Sequence, residues 1–265
     1  MAHKEKAVVP GLDSTGTFLV TNPCLFNRTL VLASNNPGEK SMTTQKPRIV
    51  APQLIGLSIL VYDIEIVKGI CPVNEAPIPG IEYCEGWHDH AGMGISVINA
   101  YDYYEDRYRC FCEDNFDAFQ ELVEDREVIC GFNSIRFDNA VCEANGIEVP
   151  ELKSYDILRE MWLSAGLGAE FNRTTHRNYG LDKTGEVNLG QNKTGHGALA
   201  PVQWQRGEIG KVIDYCLGDV WITKRLLDLI LIRQELISPA DGMTMLRMPI
   251  PPQLTMMGNA VAGPQ

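Results

Sequence analysis

Basic residues are scarce in this chain. Against 34 Asp and Glu it carries only 23 Lys and Arg, a formal net charge of −11. That balance excludes a protein that grips long duplexes with its whole surface, because affinity for phosphate comes from Lys and Arg. It leaves room for a narrow site: a short single-stranded end needs few contacts, and bound cations would offset part of the negative charge. Long apolar runs are also missing. None is long enough to cross a bilayer, and the first twenty residues hold no continuous segment of signal-peptide type. The expectation is a cytoplasmic protein with no membrane partner. No Cys-x-x-Cys half-site occurs among the eight cysteines, whose scatter suits reduced residues in a reducing compartment. Cys71, Cys84, His88 and His90 could in principle hold zinc, but without that half-site they read as loop residues.

What is present suits a globular α/β domain. The chain has 265 residues, 45% of them hydrophobic, enough to fill a sizeable core. Residues 1–52 are rich in Gly, Pro, Ser, Thr and Asn and lack a sustained period, so they read as an extension or loosely packed arm. Residues 53–238 form the domain, and 239–265 a Pro- and Met-rich tail that packs over it. Within the domain, Leu54 to Tyr62 is an apolar run suited to a strand covered on both sides. A Pro-rich loop follows. Gly94–Asp102 and Asp106–Glu113 read as an antiparallel hairpin, Asn115–Glu124 as a helix, Glu127–Gly131 as the fourth strand and 137–144 as a helix closed by Asn145-Gly146. Ser154–Asp156 is a short strand leading into a helix through Leu163. From Gly166 to Gly207 the composition is polar and glycine-rich, with short helical turns. Val212, Cys216, Val220, Leu227 and Leu231 then mark one face of a long helix from Glu208 to about Leu236. Together these describe one mixed five-stranded sheet flanked by helices.

The chemistry begins where the first apolar run ends, at Asp63-Ile64-Glu65. Two residues apart on a strand, the two carboxylates share a face. Like charges aimed from a buried strand end toward one point repel, and divalent cations are the usual remedy. A second Asp-x-Glu, Asp125-Arg126-Glu127, has no apolar run before it and reads as a solvated surface turn. Asp138 follows a strand-to-helix turn, Gly131-Phe132-Asn133-Ser134-Ile135-Arg136-Phe137; taken alone it reads as a charge at a helix N-terminus, and in context as a residue at the ligand-binding edge of an open sheet. Tyr215 and Asp219, four apart on the long helix, share a face.

In this order, Asp63-Ile64-Glu65, Asn133 through Asp138, and Tyr215 to Asp219, the chain resembles the ribonuclease H-like exonucleases named for four acidic residues, in the subclass with a tyrosine before the last (the DEDDy type). Trp87 to Gly94 and Leu189 to Lys193 are further similar to predicted exonucleases related to the proofreading domains of family B polymerases. The resemblance spans Gly56 to Leu231. It implies a ribonuclease H-like fold and 3′ to 5′ hydrolysis of DNA or RNA from a single-stranded end, with two Mg²⁺ or Mn²⁺ ions. It also implies that Asp63 bridges the ions, Glu65 and Asp219 hold the ion on the side of the attacking water, Asp138 helps with the other, and Tyr215 orients the water. Asn133 either positions Asp138 through the backbone or holds nucleic acid, and Lys193 either reaches a phosphate or is a solvated loop residue. Trp87 and His88 either border the site or are a core Trp and a surface His. The residues alone give two-metal phosphodiester hydrolysis; a non-cutting module or an endonuclease on the same fold are the alternatives.

Overall fold

The computed structural model describes residues 54–71, 76–191 and 197–254. The expected arm over residues 1–52, Lys193 and the last eleven positions of the tail lie outside them. The first strand, β1 (Ile59–Ile66), is buried at every residue except half-buried Asp63. After it the Pro-rich loop contains more order than its composition suggests. β2 (Gly69–Ile70) pairs in parallel with β3 (Tyr83–Cys84), and α1 (His90–Met93) is capped by the Asp89 carboxylate accepting from the Gly92 N–H. The hairpin of β4 (Ile95–Asp102) and β5 (Arg107–Phe111) is antiparallel. Then α2 (Phe116–Asp125), β6 (Val128–Gly131), α3 (Asp138–Ala144), β7 (Ser154–Asp156) and α4 (Ile157–Ser164) alternate. The chain continues through α5 (Leu181–Leu189), α6 (Ala200–Gln205), the long α7 (Ile209–Arg233) and a hairpin of β8 (Glu235–Ile237) and β9 (Met245–Arg247).

The sheet runs β5-β4-β1-β6-β7, with β4 antiparallel to both β5 and β1 and the last three strands parallel. This is the mixed five-stranded arrangement of the ribonuclease H-like fold. Strand periodicity sorts β1 between two cores. Ile59 and Val61 face a cluster built from α4, α7 and the β8–β9 hairpin, whereas Leu60, Tyr62, Ile64 and Ile66 face α2 and α3. Asp63 and Glu65 therefore continue the row that faces α7. That helix is tied to the sheet at two heights: Asn99 Nδ2 donates to the Ile213 carbonyl at 3.0 Å, and Tyr103 donates its hydroxyl to Asp228 at 2.8 Å.

Three local expectations change. The segment expected to hold only short turns contains α5, nine residues long. Its apolar period is weak because it meets α7 through small residues: a β-carbon on Gly185 would lie 3.0 Å from Ile222 Cγ2 and 2.9 Å from the Gln191 carbonyl oxygen. The long helix stops at Arg233, not near Leu236, because Gln234 turns left-handed at φ 55°. Leu236 then faces the core opposite Leu246, both almost fully buried, so the start of the expected tail is a hairpin sealing the α4–α7 core. Finally, Asp125-Arg126-Glu127 is a surface turn only at its acids. Arg126 is buried, forking onto buried Asp102 through Nε (2.9 Å) and Nη2 (2.8 Å).

That fork is a two-bond charge-assisted pair in a dry site, and removing one partner strands the other. Arg126→Ala should therefore destabilise the domain by about 3–5 kcal/mol. The paired replacement Asp102→Leu with Arg126→Met should cost much less. Urea unfolding of the two variants measures the difference.

Candidate functional site

The parallel neighbour of β1 is shorter than β1. β6 is in register with Ile59, Leu60 and Val61 only, so the backbone of β1 beyond Val61 has no strand on that side. Asp138 takes the place of one. Its Oδ1 accepts from the Ile64 N–H at 3.3 Å, which sets a buried carboxylate against the peptide between Asp63 and Glu65. A second bond fixes the same helix end: the Tyr62 hydroxyl donates to Asn139 Oδ1 at 2.5 Å, and Asn139 Nδ2 donates to Ser154 Oγ at 2.9 Å. Burial, with smaller contributions from Cys142, Asp138 and Asp63, pushes the Tyr62 hydroxyl well above its ordinary value, so it remains a donor.

The turn that delivers Asp138 is built around a carboxylate that is not part of the expected set. Asp156, at the end of β7, accepts from Asn133 N–H (2.9 Å) and Ile135 N–H (3.2 Å) in the turn, and from Leu158 N–H (3.0 Å) at the start of α4. Asn133 supplies the left-handed residue the turn requires, at φ 66°, and its carbonyl accepts from Phe137 N–H at 3.2 Å. Gly131 allows the chain to fold back, since a β-carbon there would lie 2.4 Å from Ser134 Cβ. Burial raises the Asp156 carboxyl above its ordinary value, and the backbone N–H donors oppose the shift.

On the other side of β1 stands α7. Cys216 Sγ lies 3.3 Å from the Asp63 carbonyl oxygen and 3.5 Å from Asp63 Oδ2. Asp63, Glu65 and Cys216 present ligand atoms within 4.8 Å of one another, the one such group among the described residues. Asp219, 3% exposed, falls between Cys216 at Asp63 and Val220 in the cluster with Val61. Tyr215 packs its ring with Val97, Ala200, Val212 and Cys216, and Val97 is the strand partner of Glu65. The tyrosine hydroxyl reaches within 3.4 Å of the position a β-carbon on Gly197 would take.

This donor set suits a divalent cation. Carboxylate oxygens are hard ligands of the kind Mg²⁺ and Mn²⁺ select, and Asn99, the strand partner of Asp63, is fully buried with an Oδ1 that has no hydrogen-bond partner among the described residues. Sulfur is the odd member. Burial, followed by the charges of Asp63 and Glu65, pushes the Cys216 thiol well above its ordinary value. Its S–H donates to the Asp63 carbonyl and carboxylate oxygens.

Neither Cys216 nor Asn99 stands out in the sequence. Cys216 occupies an apolar helix position, and the signal for it is its place three residues before Asp219 on the same face. Asn99 is a lone amide inside a buried strand run. Among the described residues Cys71, Cys84, His88 and His90 form no ligand group, and the Cys84 thiol is directed to the Gly86 carbonyl. Trp87 is no core residue. It is 65% exposed and stands edge-on to Phe137, the residue before Asp138, with centroids 6.1 Å apart.

No family model matches the chain, and no curated protein matches it. Among solved structures, the chain is similar to the family B DNA polymerase from the hyperthermophilic archaeon Pyrobaculum calidifontis. Identity is 17% and the TM-score 0.45, over 69% of this chain and 26% of the polymerase. The chain thus spans about a quarter of that protein. Among the described residues no helix is long and apolar enough to cross a membrane.

Two measurements test this construction. Asp156→Ala removes the acceptor for the turn and for α4 together, and should lower stability by about 3 kcal/mol in denaturant unfolding. Cys216→Ser should retain Mn²⁺ affinity within about threefold by isothermal titration, because a donating hydroxyl replaces a donating thiol. A loss of about a hundredfold would make the sulfur a ligand.

Proposed function

We propose that this protein is a metal-dependent 3′ to 5′ exonuclease that hydrolyses phosphodiester bonds at a single-stranded DNA or RNA end. The observation that carries the reading is the bond from Ile64 N–H to Asp138 Oδ1, which draws a third carboxylate to the strand segment bearing Asp63 and Glu65. So many acids in so little space would repel one another without cations among them.

When bound, two Mg²⁺ or Mn²⁺ ions would supply the acidity that makes water a nucleophile and the charge that stabilises the leaving oxygen. Asp63, Glu65, Asp138 and Asp219 are the residues that would hold the ions, with Asp63 the one the resemblance would have both share. Glu65 and Asp219 would hold the ion on the side of the attacking water and Asp138 would help with the other, as the resemblance implies. Tyr215 orients the water through its hydroxyl. A phenol serves here as a hydrogen-bonding guide for the water, with the acidity left to the metal. Asn133 acts through the turn it completes, and Lys193 is assigned to phosphate contact. The 3′ to 5′ direction draws on the resemblance of the three sequence motifs to the DEDDy exonucleases.

A second reading, a ribonuclease H-like module that binds without cutting, draws on the packing of the Tyr215 ring among Val97, Ala200 and Val212. One experiment separates the two. With Mg²⁺ or Mn²⁺, the full chain should shorten an end-labelled single-stranded oligonucleotide with a free 3′ end, and chelation should stop it. Asp63→Ala should reduce the rate by at least about a thousandfold. Equal rates for the variant and the wild type would remove the assignment, and a blocked 3′ end that is shortened as fast as a free one would overturn attack from the 3′ end.

A further inference from the structure

The Asp138 turn is flanked by two exposed aromatic rings. On one side Trp87 stands against Phe137. On the other, the Arg136 guanidinium lies 5.4 Å from the centroid of Phe171, which is 47% exposed. The two flanks differ in charge. Trp87 sits in a loop with Glu85 and Asp89, the latter's carboxylate engaged with Glu85 N–H and Gly92 N–H. The Phe171 segment carries exposed Arg173 and Arg177, with Glu170 as its one acid, and faces exposed Arg136 across the ring. No ion pair among the described residues involves these three arginines. In a chain of net charge −11, a set of uncompensated arginines beside a carboxylate cluster needs a physical reason.

The segment is also built to hold its shape. His176 is 5% exposed, with Nε2 2.8 Å from the Gly168 carbonyl oxygen and Nδ1 2.8 Å from Thr175 Oγ1. Its ring meets Trp162 edge-on at 4.6 Å, and Phe171 leans on both, 6.2 Å from each. Asn172 closes the turn, its side chain accepting from Thr174 N–H at 2.9 Å. Phe171 is thus supported from within and open outward. An aromatic face ordered before binding costs little entropy when a base stacks on it.

We propose that Phe171 and Arg136, with Arg173 and Arg177, form a platform that holds the single strand leading away from the carboxylate cluster. Phe171 stacks a base and the arginines take the phosphates on either side of it. The pattern tolerates any base sequence, because every base has a face and every nucleotide a phosphate. The proposal rests on the reading of the cluster as a phosphodiester-cleaving centre.

The test uses the full chain and a short fluorescein-labelled oligothymidylate, with Ca²⁺ in place of Mg²⁺ so that binding is read by anisotropy without cleavage. Phe171→Ala should weaken binding by about tenfold. Arg136→Ala should weaken it and flatten the log–log salt dependence by about 0.7. Trp87→Ala, on the acidic flank, should bind as the wild type does. If the wild type cleaves with Mg²⁺ while both platform variants bind as it does, the platform is wrong and the nuclease reading stands. If the variants lose binding but no preparation cleaves, the platform stands and the nuclease reading falls. Failure of the wild type to bind the oligonucleotide, tighter binding of a duplex, or equal binding of polyglutamate, which would assign the arginines to an acidic protein partner, overturns the proposal.

Discussion

A single backbone N–H organises the candidate centre. β1 is longer than its parallel neighbour, so the sheet leaves the Ile64 N–H without a strand partner in a buried stretch. An orphaned donor there costs on the order of 1–3 kcal/mol. Asp138 removes that cost and places its own charge beside Asp63 and Glu65. Geometry that satisfies the backbone thereby creates an electrostatic problem among side chains, and cations are the economical answer to it. Sheet architecture and the candidate metal site meet at this bond.

The supporting shell is polar and spread over distant parts of the chain. Asp156 holds the turn before Asp138, Asn139 and Tyr62 pin the first turn of α3, and Asn99 fixes the height of α7 opposite Asp63. Each is buried or half-buried and each contacts backbone or another fixed group, so the carboxylates are set by rigid elements and not by loops. Tyr62 and Cys216 play parallel parts from opposite faces of β1. Both are buried protic groups whose ionisation is opposed by their surroundings, and both act as neutral donors close to acids.

The sequence made the frame legible where burial and periodicity agreed. β1 reads as a strand because both of its faces are covered, and the acids at its end stand out against that apolar run. The β4–β5 hairpin, β6 and α7 follow from similarly plain patterns. What stayed hidden has a common physical cause: side chains whose roles depend on a partner far along the chain. Arg126 looks solvated beside Asp125 and Glu127 until Asp102 is brought to it. α5 hides because close packing on α7 calls for Gly185 and Thr184, which carry little hydrophobic signal. Leu236 continues the apolar face of α7 in sequence, yet a left-handed Gln234 diverts it into a hairpin. Asp156 carries the mark of a helix cap before an apolar run, but its hold on the Asp138 turn is a tertiary contact that no local pattern encodes.

The outermost strand carries a further consequence. β5 ends the sheet, and Arg107 and Arg109 both converge on Glu105 at the start of it. Charged side chains along that rim make it a poor template for a neighbouring chain seeking to extend the ladder. Charge thus guards the border of the sheet against lateral growth, while the acids gather on its central strand.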